Sequence, residues 1–262
     1  MRAPTMVDQV PVDLSWTRIN EIGKRATNQD TVGEAFHAQL ACFVLADGAG
    51  GHEGGEVASR VVVDAILNCF RTKPGFGPDA LLSYAESASS DVAKRKQQEP
   101  RYADMSTTVC ALLVDRAYGQ ALWAHLGDSR VYLFREARLH AMSKDHSLTQ
   151  QLIDAGYARA EQLRLHPQRN ILFAAIGAEG DTQIELSAGA THLLPGDALL
   201  LCSDGLWEWV MEGDMERTLA ASADTEQWLA AMCRIADDNI QNTGKVRDNF
   251  SAYAILVHKG GV

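Results

Sequence analysis

No apolar run in the chain is longer than a strand, and that limit decides most of what it can fold into. Leu40 to Ala46 (LACFVLA), Thr107 to Val114 (TTVCALLV), Ala121 to Leu126, Val131 to Phe134, Ala198 to Cys202 (ALLLC) and Ser251 to Val257 are short apolar runs bounded by polar turns. They are rich in β-branched, aromatic or aliphatic residues, as strands are. Helical spacing is confined to a few stretches. Val57, Ala58, Val61, Val62, Ala65, Ile66, Cys69 and Phe70 predict an amphipathic helix over Gly55 to Arg71, and a second is expected over Asp79 to Lys96. Ser147 caps a short helix reaching Ala155, and Thr225 to Ile240 carries Trp228, Leu229, Met232, Cys233, Ala236 and Ile240 at helical intervals. Strands and helices fall in blocks rather than strict alternation, so an α+β fold with antiparallel sheets is expected over a doubly wound one. The three runs between Thr107 and Phe134 read as adjacent antiparallel strands. Gly156 to Asn170 is polar, irregular and too long for a tight connection, which makes it a candidate flap.

Nothing divides the chain internally: there is no repeat, low-complexity tract or Ser/Gly linker, and one domain over residues 1–262 is expected. With 24 basic against 34 acidic side chains, a formal charge of -10 and the Lys and Arg dispersed along the chain, the sequence argues against a basic face for phosphodiester backbones, and no nucleic-acid partner is expected. A bilayer crossing needs roughly 18–20 apolar residues, which no run here approaches, so no membrane partner is expected, and Met1 to Leu14 lacks a signal-peptide core. A cytosolic protein is expected. Its five cysteines show no C-x-x-C and read as buried, reduced thiols.

Four aspartates stand where apolar strands end or begin: Asp47 after FVLA, Asp128 between WAHLG and RVYLF, Asp204 after LLLCS and Asp248 before SAYAILV. One such aspartate is an ordinary solvated turn. Four can converge on one edge of a sheet system, where they repel unless a cation lies among them. Oxygen ligands alone suit Mg²⁺ or Mn²⁺ rather than zinc, and a two-metal hydrolytic site follows.

Arg25-Ala-Thr-Asn28-Gln29-Asp30, the stretch from Asp47-Gly48 to Glu56, Ser106-Thr107-Thr108, Gly127-Asp128-Ser129-Arg130-Val131-Tyr132, Asp145-His146-Ser147, His166-Pro167 with Arg169-Asn170, Ser203-Asp204-Gly205-Leu206 and Asp248-Asn249 occur in that order. Together they resemble a bacterial-type metal-dependent protein serine/threonine phosphatase of type 2C, over about Ile19 to Val257. The resemblance implies a four-layer α-β-β-α sandwich, two antiparallel sheets flanked by helices, with a binuclear Mn²⁺/Mg²⁺ centre at one end. By position, Asp47 would bridge two tightly held ions, with the Gly48 carbonyl, Asp204 and Asp248 completing one shell. Asp30 would serve the second ion, and Asp128 with Asp204 a third, weaker one. Arg25 would grip the substrate phosphate. Asn28, Gln29 and Asn249 would stand behind the ligands, Gln29 replacing the glutamate that the family often has there. The position after Asp47-Gly48, where eukaryotic members carry histidine, is Ala49, which leaves His52 as the candidate leaving-group acid.

The residue types agree with that chemistry. Hydrolysis of a phosphoserine monoester needs a nucleophile and charge neutralisation, and a metal-activated water with Arg25 supplies both without a protein nucleophile. Two other signals carry no site. Cys110 and Arg116 match C-x5-R, but Ala-Leu-Leu-Val-Asp between them lacks glycine and reads as a strand. Gly48-Ala-Gly50-Gly51-His-Glu-Gly54 has Glu53 where a dinucleotide loop needs its third glycine. His125, His146, His166 and His192 show no paired zinc spacing and read as structural or surface groups. The partners expected are phosphorylated proteins, targets of a cognate serine/threonine kinase, met by a monomer. The alternative is a weak or inactive family member that binds phosphoproteins.

Overall fold

The computed structural model describes residues 10–49, 54–159, 163–164, 166–179 and 183–261. Two antiparallel sheets lie face to face. One contains β1 (Val12–Glu21), β12 (Phe250–Lys259), β11 (Ala198–Cys202), β7 (Arg130–Arg135) and β8 (Arg138–Met142), side by side in that order. The other runs β10 (Thr191–His192), β6 (Gln120–Leu126), β5 (Val109–Asp115), β3 (Leu40–Ala49) and β2 (Asp30–His37). Two short strands extend this second sheet: β4 (Ser106–Thr107) pairs with β3, and β9 (Glu185–Leu186) with β6.

Side-chain alternation explains why the apolar runs are continuous. Along β3, Ala41 and Phe43 point between the sheets, where they meet Leu112, Leu133, Leu199, Leu201, Tyr253 and Ile255. Cys42, Val44 and Ala46 point the other way, onto α1 (Gly55–Thr72) and α2 (Pro78–Gln98), which contribute Val62, Ile66, Phe70 and Leu81. The other sheet is covered likewise. Ala198, Leu200 and Cys202 face Trp207, Met215, Trp228 and Met232 from α4 (Asp204–Trp207), α5 (Glu212–Ala221) and α6 (Thr225–Gln241). A strand buried on both faces has no polar side, so period two disappears from its sequence. The result is the α-β-β-α sandwich. α3 (Leu148–Asp154) starts at Ser147, whose hydroxyl accepts from the Gln150 amide as the sequence suggests. Among the described residues all five cysteines are free thiols, three of them buried, and no helix is long and apolar enough to cross a membrane.

Two expectations need correction. β6 and β7 are not adjacent strands: they belong to different sheets, so Gly127-Asp128-Ser129 is a crossing between layers rather than a hairpin turn. Gly127 makes the crossing possible. Its φ is +102°, and a Cβ there would lie 2.6 Å from Thr108 Cγ2. Gly127→Ala is therefore expected to cost about 1–3 kcal/mol, read as a lowered urea midpoint with an unchanged slope; an unaltered midpoint would show that the crossing relaxes freely. The run Thr107 to Val114 is also not one strand. It breaks at Thr108, whose N–H donates to the Asp47 carbonyl at 2.8 Å while its Oγ1 accepts from the Asp47 N–H at 3.0 Å.

Candidate metal and phosphate site

The aspartates reach one place from both sheets. Asp30 opens β2 and is the direct cross-strand partner of Asp47 in β3. Like charges facing each other in a ladder are destabilising, and these two are also largely withdrawn from water. Asp204 begins α4 directly after β11, and Asp248 lies two residues before β12, which pairs with β11. Asp128, in the crossing, is 6% exposed, and Asp30 is 4% exposed.

Electrostatics show that the five carboxylates share one site. Burial raises Asp47 well above the ordinary carboxylate range, and the charges of Asp30, Asp204, Asp128 and Asp248 push it further. Asp128 is raised in the same way, first by burial and then by Asp204 and Asp145. Burial lifts Asp30 to about 6 against help from the Ser203 hydroxyl, and lifts Asp204 to about 7, with Asp248 adding to it. Ser203 Oγ donates to Asp30 Oδ2 at 2.8 Å, whereas Asp30 Oδ1 is buried without a hydrogen-bond partner. A set of oxygens under mutual repulsion, one of them orphaned, fits hard divalent cations.

Hydrogen bonds fix the frame behind these carboxylates. Asn28 Oδ1 accepts from the Asp30 N–H at 3.1 Å, and the Gln29 carbonyl accepts from the Gly48 N–H at 3.0 Å. Asn249 ties three segments together: its Oδ1 accepts from the Gln29 N–H at 2.9 Å, and its Nδ2 donates to the carbonyls of Ile22 and Thr27 at 2.8 and 3.0 Å. Gly48 packs on the first turn of α1 so closely that a Cβ would lie 2.3 Å from the Gly55 carbonyl. Arg25 stands at the rim with 57% of its side chain exposed, and its Nη2 donates to Asp248 Oδ2 at 2.5 Å. That bond is the largest influence raising its pKa.

Several supporting residues were invisible as such in the sequence. Arg130 and Asp145 appear in the motif strings without a role; in the fold they form a buried bidentate pair, both bonds 2.7 Å. The Arg130 guanidinium lies 3.5 Å from the Trp207 ring centroid, and Trp207 Nε1 donates to the Asp128 carbonyl at 2.8 Å. Thr108 Oγ1 and Ser129 Oγ share a hydrogen at 2.7 Å. These contacts hold the crossing from two sides. A tryptophan three residues after Asp204 was the one available hint.

His52 lies outside the described residues, as do Gly50, Gly51 and Glu53. The candidate flap is described in part: Leu163 joins the core around Trp207, and Arg164 pairs with Glu212 at 2.5 Å. Among the described residues, the trio with all ligand atoms within 4.8 Å of one another is not drawn from the aspartates. It is His125, His146 and Glu185.

A family profile described as Protein phosphatase 2C matches residues 20–248. The serine/threonine protein phosphatase PstP of Mycobacterium tuberculosis is 37% identical over 183 residues, which is 70% of this chain and 34% of that protein. The chain thus spans about a third of the length of that relative. Protein phosphatase PhpP of Streptococcus pneumoniae is 31% identical over 226 residues, covering 84% of this chain and 90% of its own. The crystal structure of the PstP catalytic domain in complex with two manganese ions superposes with a TM-score of 0.78 at 28% identity, over 94% of this chain and 99% of that one. Profile, relatives and sandwich agree, and the chain belongs to the protein phosphatase 2C family.

Proposed function

We propose that the chain is a Mn²⁺/Mg²⁺-dependent protein serine/threonine phosphatase, acting as one domain on phosphoserine and phosphothreonine in target proteins of a cognate kinase. The observation that carries this reading is the convergence of Asp30, Asp47, Asp128, Asp204 and Asp248 beside one exposed arginine. Asp30, Asp47 and the Gly48 carbonyl would hold ions from the first pair of strands and Asp204 and Asp248 from the opposite side, and Asp128 with Asp204 would take a weaker third ion. When bound, such ions supply an activated water and neutralise phosphoryl charge. The chain's own share is to hold its carboxylates close together in a frame fixed by Asn28, Asn249, Ser203 and Thr108, where burial and mutual repulsion favour a bound cation.

Arg25 reaches the phosphate by leaving Asp248. Its guanidinium matches two phosphoryl oxygens, and it orients the dianion for in-line attack. Because it meets charge present in both ground and transition states, Arg25→Ala is expected to raise KM and lower kcat/KM at least about tenfold, about 1.4 kcal/mol. Unchanged steady-state kinetics on a phosphothreonine peptide would remove Arg25 from the site.

His52 remains the candidate for protonating the leaving serine or threonine, and the segment 156–170 the candidate reader of protein substrates. The protein is proposed to be cytoplasmic and monomeric. Hydrolysis of a phosphothreonine peptide, assayed with Mn²⁺, with Mg²⁺ and after chelation, tests the whole reading: metal-dependent turnover supports it, and tight peptide binding without turnover would make the chain a phosphoprotein-binding member instead.

A further inference from the structure

His125, His146 and Glu185 come together through pairing that their spacing hides. His125 near the end of β6 is the direct cross-strand partner of Glu185 in β9. His146, before α3, stacks on His125 with ring centroids 4.8 Å apart and planes at 11°. They adjoin a surface cavity of about 500 Å³ that Trp123, His125, Lys144, Glu185 and Thr191 help to line.

The hydrogen bonds assign the protons. His125 is 2% exposed, and its Nε2 lies 2.8 Å from the Lys144 carbonyl, which only accepts. The proton is therefore on Nε2, and the lone pair is on Nδ1, which is buried without a partner. Burial lowers the pKa of this ring and keeps it neutral. A neutral imidazole whose other N–H is anchored to a carbonyl is the usual state of a metal-binding histidine. His146 is the same tautomer: Nδ1 accepts from the Gly127 N–H at 3.1 Å, so its proton is on Nε2, which donates to Glu185 Oε2 at 3.0 Å.

We propose that His125, His146 and Glu185 form a site for a zinc-class divalent ion, and that filling it releases Gly127. Two imidazoles and one carboxylate suit Zn²⁺, Ni²⁺ or Cu²⁺, whereas Mg²⁺ favours oxygen alone. The three ligand atoms lie within 4.8 Å of one another, against the roughly 3.4 Å implied by tetrahedral zinc bonds of about 2.1 Å, so an ion would draw the widest pair together. Closure requires His146 to tilt out of its stack, with exposed Glu185 following. Either ring nitrogen breaks the Gly127 bond. If Nδ1 binds the ion, its lone pair is taken from the Gly127 N–H; if Nε2 binds, its proton moves to Nδ1 and meets that N–H donor to donor. The Gly127–Ser129 crossing carries Asp128, so an ion here loosens the proposed third-metal ligand. That last consequence rests on the phosphatase reading; the binding itself does not.

The test is calorimetric titration of the full chain with Zn²⁺, in excess Mg²⁺ to fill the aspartates, without substrate. One Zn²⁺ site is expected in the wild type. It should weaken at least about tenfold in His125→Ala and in Glu185→Gln, the latter a change at a half-exposed side chain that leaves folding intact, and persist in Asp47→Asn. Absence of a Zn²⁺ site, equal affinity in Glu185→Gln, or loss of the site in Asp47→Asn alone would overturn the assignment. Hydrogen exchange at the Gly127 amide should accelerate when Zn²⁺ is bound; an unchanged rate would overturn the coupling.

Discussion

Asp47→Asn is expected to reduce turnover of a phosphothreonine peptide roughly a thousand-fold or more, about 4 kcal/mol of barrier, without unfolding the protein. The fold survives because the contacts that hold residue 47 use its backbone: its N–H donates to Thr108 Oγ1 and its carbonyl accepts from the Thr107 hydroxyl and the Thr108 N–H. Asparagine keeps those bonds and the side-chain shape but loses the charge at the centre of the carboxylate group. Circular dichroism should match the wild type while kcat collapses. More than a tenth of wild-type activity in the variant, or full wild-type activity after exhaustive chelation, would sink the two-metal reading.

The same cluster should make the ion-free protein less stable as pH rises. Asp30 and Asp204 are lifted to about 6 and about 7, mainly by burial, from an unfolded value near 4. Folding therefore favours their protonated forms. The stability this contributes is fully present below about pH 4 and is lost as pH climbs through the folded values, a loss by pH 8 on the order of 3 kcal/mol from Asp30 and 4 kcal/mol from Asp204. Cations substitute for those protons. The gain in melting temperature on adding Mg²⁺ should accordingly be larger at pH 8 than at pH 5.5 by several degrees, and comparing the gain rather than the melting temperature cancels titrations elsewhere, such as that of buried His125. Asp204→Asn should melt higher than wild type without ions at pH 8 and respond less to Mg²⁺. An Mg²⁺ gain independent of pH would contradict the repulsion.

How much of this was legible in the sequence depended on which faces of each element are buried. β3 and β11 stand out because helices cover one side and the opposite sheet the other. β1, β2 and β8 did not, since they include edge strands with exposed positions: Trp16, Phe36 and Met142 are each at least 38% exposed. Nor did α5, whose Glu212, Asp214, Glu216 and Arg217 dilute its apolar stripe. Asp47, Asp128, Asp204 and Asp248 were found because each bounds an apolar run, and Asp30 only through the motif resemblance. Their convergence was only implied, because the Asp30 to Asp47 register is a property of pairing rather than of spacing. His125 and Glu185 were missed for the same reason, being cross-strand partners sixty residues apart. The crossing at Gly127 was misread because a glycine with positive φ serves a hairpin and a change of layer equally well.

Asp30 and Asp47 ride on one sheet, while Asp204 and Asp248 flank strands of the other. Cations held among them, as proposed, would rivet the two halves of the sandwich at one end, and the apolar layer of Phe43, Leu112, Leu199, Leu201 and Tyr253 sets how far apart those halves stand. Binding affinity at the rim would thereby be a readout of closure in the middle: a sequence change deep between the sheets, out of reach of any ion or substrate, would act on the site through the gap it opens or shuts.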